Sequence, residues 1–97
     1  MHQLVTPAQV ELDERQRRLL RLRHELARIG VRTRIRRPRN GRWKITLRSA
    51  RWSETVLCAG AEGAYAYVTV HGRLLGPADD VRHVAQVLVW MVDRKHR

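Results

Sequence analysis

Between Gly30 and Arg48 the chain alternates with a period of two, and that alternation limits what it can fold into. Val31, Thr33 and Ile35 take one phase; Arg32, Arg34 and Arg36 take the other. Beyond a turn marked by Asn40-Gly41, Trp43, Ile45 and Leu47 alternate with Arg42, Lys44, Thr46 and Arg48. A period of two signals strand, and a split into apolar and charged phases belongs to a sheet with one covered and one wet face. A two-residue Asn-Gly loop would set Arg36 opposite Ile45 and mix the faces. A three-residue loop, Arg39-Asn40-Gly41 with Gly41 left-handed, sets Ile35 opposite Ile45 and Arg36 opposite Lys44. The second register is expected, because a slip of one residue buries several charges. It also brings Arg32 opposite Arg48, with Arg34 on the same face.

The flanking sequence supplies a cover for the apolar phase. Thr6-Pro7-Ala8-Gln9 reads as a capping box with Pro at the first helical position. Leu12, Leu19, Leu22, Leu26 and Ile29 recur at helical spacing, predicting a helix over about 7–29 that Gly30 closes. Arg17, Arg21, His24 and Arg28 take its opposite face, and Glu11, Asp13 and Glu14 precede Arg15, Arg17 and Arg18 by four residues. Strands are expected over about 31–37, 42–48, 53–59 and 64–71, the last two joined by the turn Gly60-Ala61-Glu62-Gly63. Leu74 to Gly76 reads as loop. Pro77 then opens a second helix over about 78–93, with Asp79 and Asp80 in its first turn. Its buried stripe is Val81, Val84, Ala85, Leu88, Met91 and Val92. The order α-β-β-β-β-α predicts one α+β domain over 1–97. The expected form is a two-layer sandwich: a four-stranded antiparallel sheet with both helices on one face.

The net charge of +11 is unevenly placed: −3 over residues 1–14, +14 over 15–51 and zero over 52–97. Eighteen Arg stand against two Lys, a bias that GC-rich codons alone can produce, so the charge carries more functional weight than the choice of Arg. Cys58 is the sole cysteine, which excludes an intrachain disulfide and fits a reducing compartment. The first fifteen residues hold no apolar signal core, and the longest apolar run, 87–92, is too short to span a bilayer. A cytoplasmic protein with no membrane partner is expected.

With the apolar phase under the helices, Arg32, Arg34, Arg36, Arg39, Arg42, Lys44 and Arg48 would project from the open side. Like charges facing each other across strands destabilise a sheet. A polyanion removes that penalty and releases counterions as it binds. Nucleic acid, DNA or RNA, is therefore the expected partner, and a two-stranded ribbon fits the major groove of a duplex. Two orientations of the fourth strand stay open. Tyr65, Tyr67 and His71 join the arginines as a stacking surface for bases, or the tyrosines turn inward and Ala64 and Ala66 face out.

Other readings compete. Charged edge strands also prevent sheet-to-sheet aggregation, and a basic face can dock an acidic protein. Val87, Val89 and Trp90 add apolar surface outside the buried stripe of the second helix, a candidate homodimer interface. Trp43 is expected to cap the core near Arg37 as a cation–π neighbour. The five histidines are scattered, Asp79 and Asp80 read as helix caps, and Cys58 reads as a small buried hydrophobe. No enzyme, metal or cofactor site is expected.

The segment Leu75-Gly76-Pro77-Ala78-Asp79-Asp80, with the Val81/Val84 helix behind it, resembles the end of small uncharacterised proteins of high-GC Gram-positive bacteria. Leu26-Ala27-Arg28-Ile29-Gly30-Val31 is similar to theirs too. The element order also resembles, more weakly, the double-stranded-RNA-binding domain, which runs helix, three strands, helix. The chain departs from that domain in its expected fourth strand, and in Asp79 and Asp80 where the domain opens its last helix with lysines.

Overall fold

The first helix begins where the capping signal stands. In a computed structural model that describes residues 6–37, 39, 42–48 and 52–96, the last four by backbone alone, Thr6 Oγ1 accepts the Gln9 N–H at 3.2 Å. Helix α1 then runs Pro7–Arg28. It ends in a Schellman arrangement. The Gly30 N–H donates to the Ala27 carbonyl at 3.1 Å and the Val31 N–H to the Leu26 carbonyl at 2.8 Å. That exit turns Val31 onto the core and leaves Ile29 outside, 41% exposed, against the expectation that it completes the apolar stripe.

Five strands follow: β1 (Thr33–Arg36), β2 (Lys44–Arg48), β3 (Ser53–Ala61), β4 (Ala64–Thr69) and β5 (Leu74–Pro77). Helix α2, Val81–His96, closes the order. The strands form one antiparallel sheet in chain order, β1-β2-β3-β4-β5. The fold is α+β with two helices, and the sheet has one strand more than expected.

The extra strand occupies the segment that the sequence predicts as loop. Buried Thr69 turns the chain, its N–H donating to the Arg73 carbonyl at 2.9 Å and its Oγ1 accepting the Arg73 N–H at 3.1 Å. Leu74–Pro77 then pairs with β4 around a register shift at Tyr67/Val68. Pro77 ends this edge strand instead of opening the helix; a missing N–H is tolerated at an edge. Asp80 takes the capping role, its Oδ1 accepting the His83 N–H at 3.4 Å.

The β1–β2 register is the expected one, Ile35 opposite Ile45 and Arg36 opposite Lys44. The loop residues Asn40 and Gly41 lie outside the described residues. Pairing starts at Thr33 opposite Leu47, so Arg32 falls one residue before the ladder and its expected pair with Arg48 is not formed. The β3–β4 turn is tighter than expected: Glu62 and Gly63 alone make it, both at positive φ, as a two-residue hairpin of the primed type requires.

The core lies between the sheet and the helices. Leu19, Leu22 and Leu26 of α1 and Val84, Ala85, Leu88 and Met91 of α2 meet Ile45, Leu47, Val56, Cys58 and Tyr67. No helix among the described residues is long and apolar enough to cross a membrane.

Candidate nucleic-acid interface

Each strand places its outward residues by register. Ile45 and Leu47 are buried on the helix side, so Lys44, Thr46 and Arg48 point the other way. Their β1 partners on that side are Arg34, opposite Thr46, and Arg36, opposite Lys44. Arg32, Arg34, Arg36, Arg39, Arg42 and Arg48 are exposed, and Lys44 is half-buried. Arg42 is also engaged in an interaction within the protein.

Among the described residues, carboxylates stay away from this surface. Glu54, the acid of β3, sits opposite Leu47 and so shares the helix side. The outward positions beside β2 are Ser53 and Thr55, and Thr55 Oγ1 lies 3.2 Å from Thr46 Oγ1. Beyond that pair the open face turns apolar, with Leu57, Ala59, Ala66 and Val68, and Leu74 at its rim is 66% exposed. The face is thus cationic on β1–β2 and aliphatic on β3–β5.

The acids of α1 are committed elsewhere. Glu14 pairs with Arg17 at 2.7 Å and Arg18 at 2.6 Å, and Glu25 pairs with Arg28 at 2.5 Å. Glu11 does not pair with Arg15 as its spacing suggests. It accepts the Tyr65 hydroxyl at 2.5 Å and the Glu62 N–H at 3.1 Å, which hold its carboxyl below the usual carboxylate range. Arg15 Nε instead donates to the Gly60 carbonyl at 2.8 Å. Asp13 accepts the Gln9 side-chain amide at 2.9 Å rather than pairing with Arg17. Among the described residues, no carboxylate pairs with Arg32, Arg34, Arg36, Arg39, Lys44 or Arg48.

The tyrosines are not part of the open face. Tyr67 is 0% exposed and Tyr65 8%, both on the helix side opposite Cys58 and Gly60. The polar tips of these rings explain the choice. Tyr67 donates to the Arg18 carbonyl at 2.6 Å and Tyr65 to Glu11, both partners on α1. The Arg18 guanidinium lies 4.3 Å from the centre of the Tyr65 ring. Ala64 and Ala66 take the outward positions, so Tyr65 and Tyr67 leave the set of base-stacking candidates. His71 is exposed in the β4–β5 turn.

Arg37 lies 5.5 Å from the centre of the half-buried Trp43 ring, as expected. Cys58 is buried, and burial pushes its thiol up to about 11. Val87 packs on the core, Val89 is half-buried, and Trp90 is 51% exposed. Asp79, Asp80 and His83 are all exposed.

One feature was not signalled by residue type. An open groove of about 720 Å³ runs between the second half of α1 and β1, lined by Leu20, Arg23, His24, Ala27, Val31 and Arg32 among others. It arises because β1 is an outer strand of the sheet and α1 crosses beside it; the helical spacing of Leu20, Arg23 and Ala27 is its only trace in the sequence. The chain matches no family model, no curated protein and no solved structure.

Proposed function

We propose that the protein is a non-enzymatic, cytoplasmic nucleic-acid-binding module whose contact surface is the β1–β2 half of the open sheet face. The observation that carries this reading is the set Arg34, Arg36, Lys44 and Arg48 on a face with no carboxylate among its described residues. Cations held side by side without counter-charge repel one another. Phosphates relieve that repulsion, and the counterions they release drive binding. Alternate residues of a strand are about 6.8 Å apart, close to the rise of two base pairs at about 3.4 Å each. A strand laid along the duplex axis therefore presents a guanidinium at a repeating interval. With the tyrosines inward, this mechanism rests on phosphate contacts and gives low sequence specificity.

If about five of the cations Arg32, Arg34, Arg36, Arg39, Arg42, Lys44 and Arg48 meet phosphates of a duplex, log affinity falls with log salt at a slope of about −4.5. Replacing Arg34, Arg36 and Lys44 together by Ser should lower the slope magnitude by about 2.7 and weaken binding to all sequences alike. Fluorescence anisotropy across a salt series measures both quantities. An unchanged slope would reject this face as the site.

Self-association through α2 is a second reading, supported by the exposure of Trp90 beside half-buried Val89. A large aromatic side chain more than half in water is a favoured interface anchor. Sedimentation should show a dimer that Trp90→Asp converts to a monomer. A wild-type monomer at all accessible concentrations ends this reading.

A further inference from the structure

We propose that the outer edge of β1, together with the α1–β1 groove, is a docking site for an extended acidic segment of a partner protein, which would add to the sheet as a sixth strand. β1 is the first strand of the sheet, and among the described residues nothing pairs with its outer side. In an antiparallel ladder every second residue of such a strand turns its N–H and C=O away from its neighbour. An edge of this kind is a template for another strand.

Side chains then select the occupant. An added strand continues the alternation of the sheet. One phase would lie on the open face beside exposed Arg34 and Arg36. The other would point toward the groove, where Leu20, Ala27 and Val31 supply apolar surface and Arg23 and His24 a polar wall. The fitting sequence alternates acidic residues with small or branched apolar ones. A second copy of this chain is a poor occupant, because β1 against β1 sets arginine rows opposite each other. The arginines thus keep this edge from pairing with itself and leave it open to a strand of opposite charge.

The site shares Arg34 and Arg36 with the nucleic-acid surface but does not depend on that reading. The test uses a labelled ten-residue peptide alternating Glu and Val, compared with the same ten residues arranged as a Glu block and a Val block. Binding is followed by fluorescence anisotropy. The alternating peptide should bind at least tenfold more tightly than the block peptide. Arg34→Ser with Arg36→Ser, and separately Arg23→Ser, should each weaken it severalfold, whereas Arg73→Ser, in the β4–β5 turn, should leave it unchanged.

Two N-methylated peptides probe the backbone, one modified at every Glu and one at every Val. Only one of them should lose binding, by tenfold or more, because only one set of N–H groups faces β1. Equal affinity of the block and alternating peptides, or of the two N-methylated ones, reduces the interaction to plain charge attraction and overturns the proposal. If Arg23→Ser weakens a DNA duplex but not the peptide, the groove belongs to the nucleic-acid surface and the proposal falls while that reading stands. If no duplex binds but the alternating peptide does so by these criteria, the nucleic-acid reading falls alone.

Discussion

Tyr67→Ala is expected to be the most damaging single substitution in this fold, at a cost of about 3–5 kcal/mol. The ring is fully buried between β4 and α1, and its hydroxyl is fixed to the Arg18 carbonyl. Truncation leaves a cavity that the flanking Cys58 and Val56 positions are too small to fill. Small domains are stable by only about 5–15 kcal/mol, so a large share of the total would go. The thermal midpoint should drop by roughly 12 °C or more. Tyr67→Phe keeps the ring and removes only the hydrogen bond, and should cost about 0.5–1.5 kcal/mol. Urea unfolding of the three proteins separates packing from hydrogen bonding. An Ala variant as stable as the Phe variant would mean that the ring does not fill the core.

The second large effect is expected at Gly60, from backbone rather than side chain. Its φ is +114°, a conformation that residues with a Cβ rarely adopt. A Cβ there would lie 2.0 Å from the Ala64 carbonyl oxygen and 2.9 Å from Tyr65 Cα, both main-chain atoms of the paired strand. Gly60→Ala must therefore distort the β3–β4 ladder. The conformational strain alone is worth about 1–3 kcal/mol, and the clash adds to it. The Gly60 carbonyl also receives Arg15, so the change disturbs the seat of α1. Gly63 is the control: φ is positive there too, but a Cβ would meet nothing within 4 Å. Gly63→Ala should pay the conformational cost only. Equal losses at the two sites, in the same urea assay, would show that the close approach at Gly60 has no energetic consequence.

The two tyrosines mark the boundary of what could be read from residues alone. In β1 and β2 one phase is charged, so burial has only one solution, and the register of Ile35 against Ile45 follows. β4 reads Ala-Tyr-Ala-Tyr-Val, with no charge in either phase. Nothing local distinguishes its faces, and the decision falls to hydrogen-bond partners on a helix some fifty residues away in the chain. The same long reach diverts Glu11 and Arg15 from the intrahelical pair that their spacing suggests. β5 escaped for another reason. Four residues containing Gly and Pro give too short an alternation to register, and what orders them is the finished edge of β4. The cationic half of the candidate site was legible, because charge periodicity is local. The groove beside it was not, because it exists only once α1 has been laid along β1.

The strands lie side by side in the order in which they are synthesised. Each ladder is a hairpin or near-hairpin closure, so the sheet assembles through local contacts, and only the docking of the helices closes long loops. β3 and β4 form its longest ladder, fastened to α1 by Tyr65, Tyr67 and Arg15, whereas four-residue β1 is attached on one flank. Amide protons of β1 should accordingly exchange with solvent through partial openings well below the global unfolding free energy, and those of β3 and β4 only through global unfolding. The strand with the highest charge density is thus the one the domain can most readily lend to a partner without coming apart.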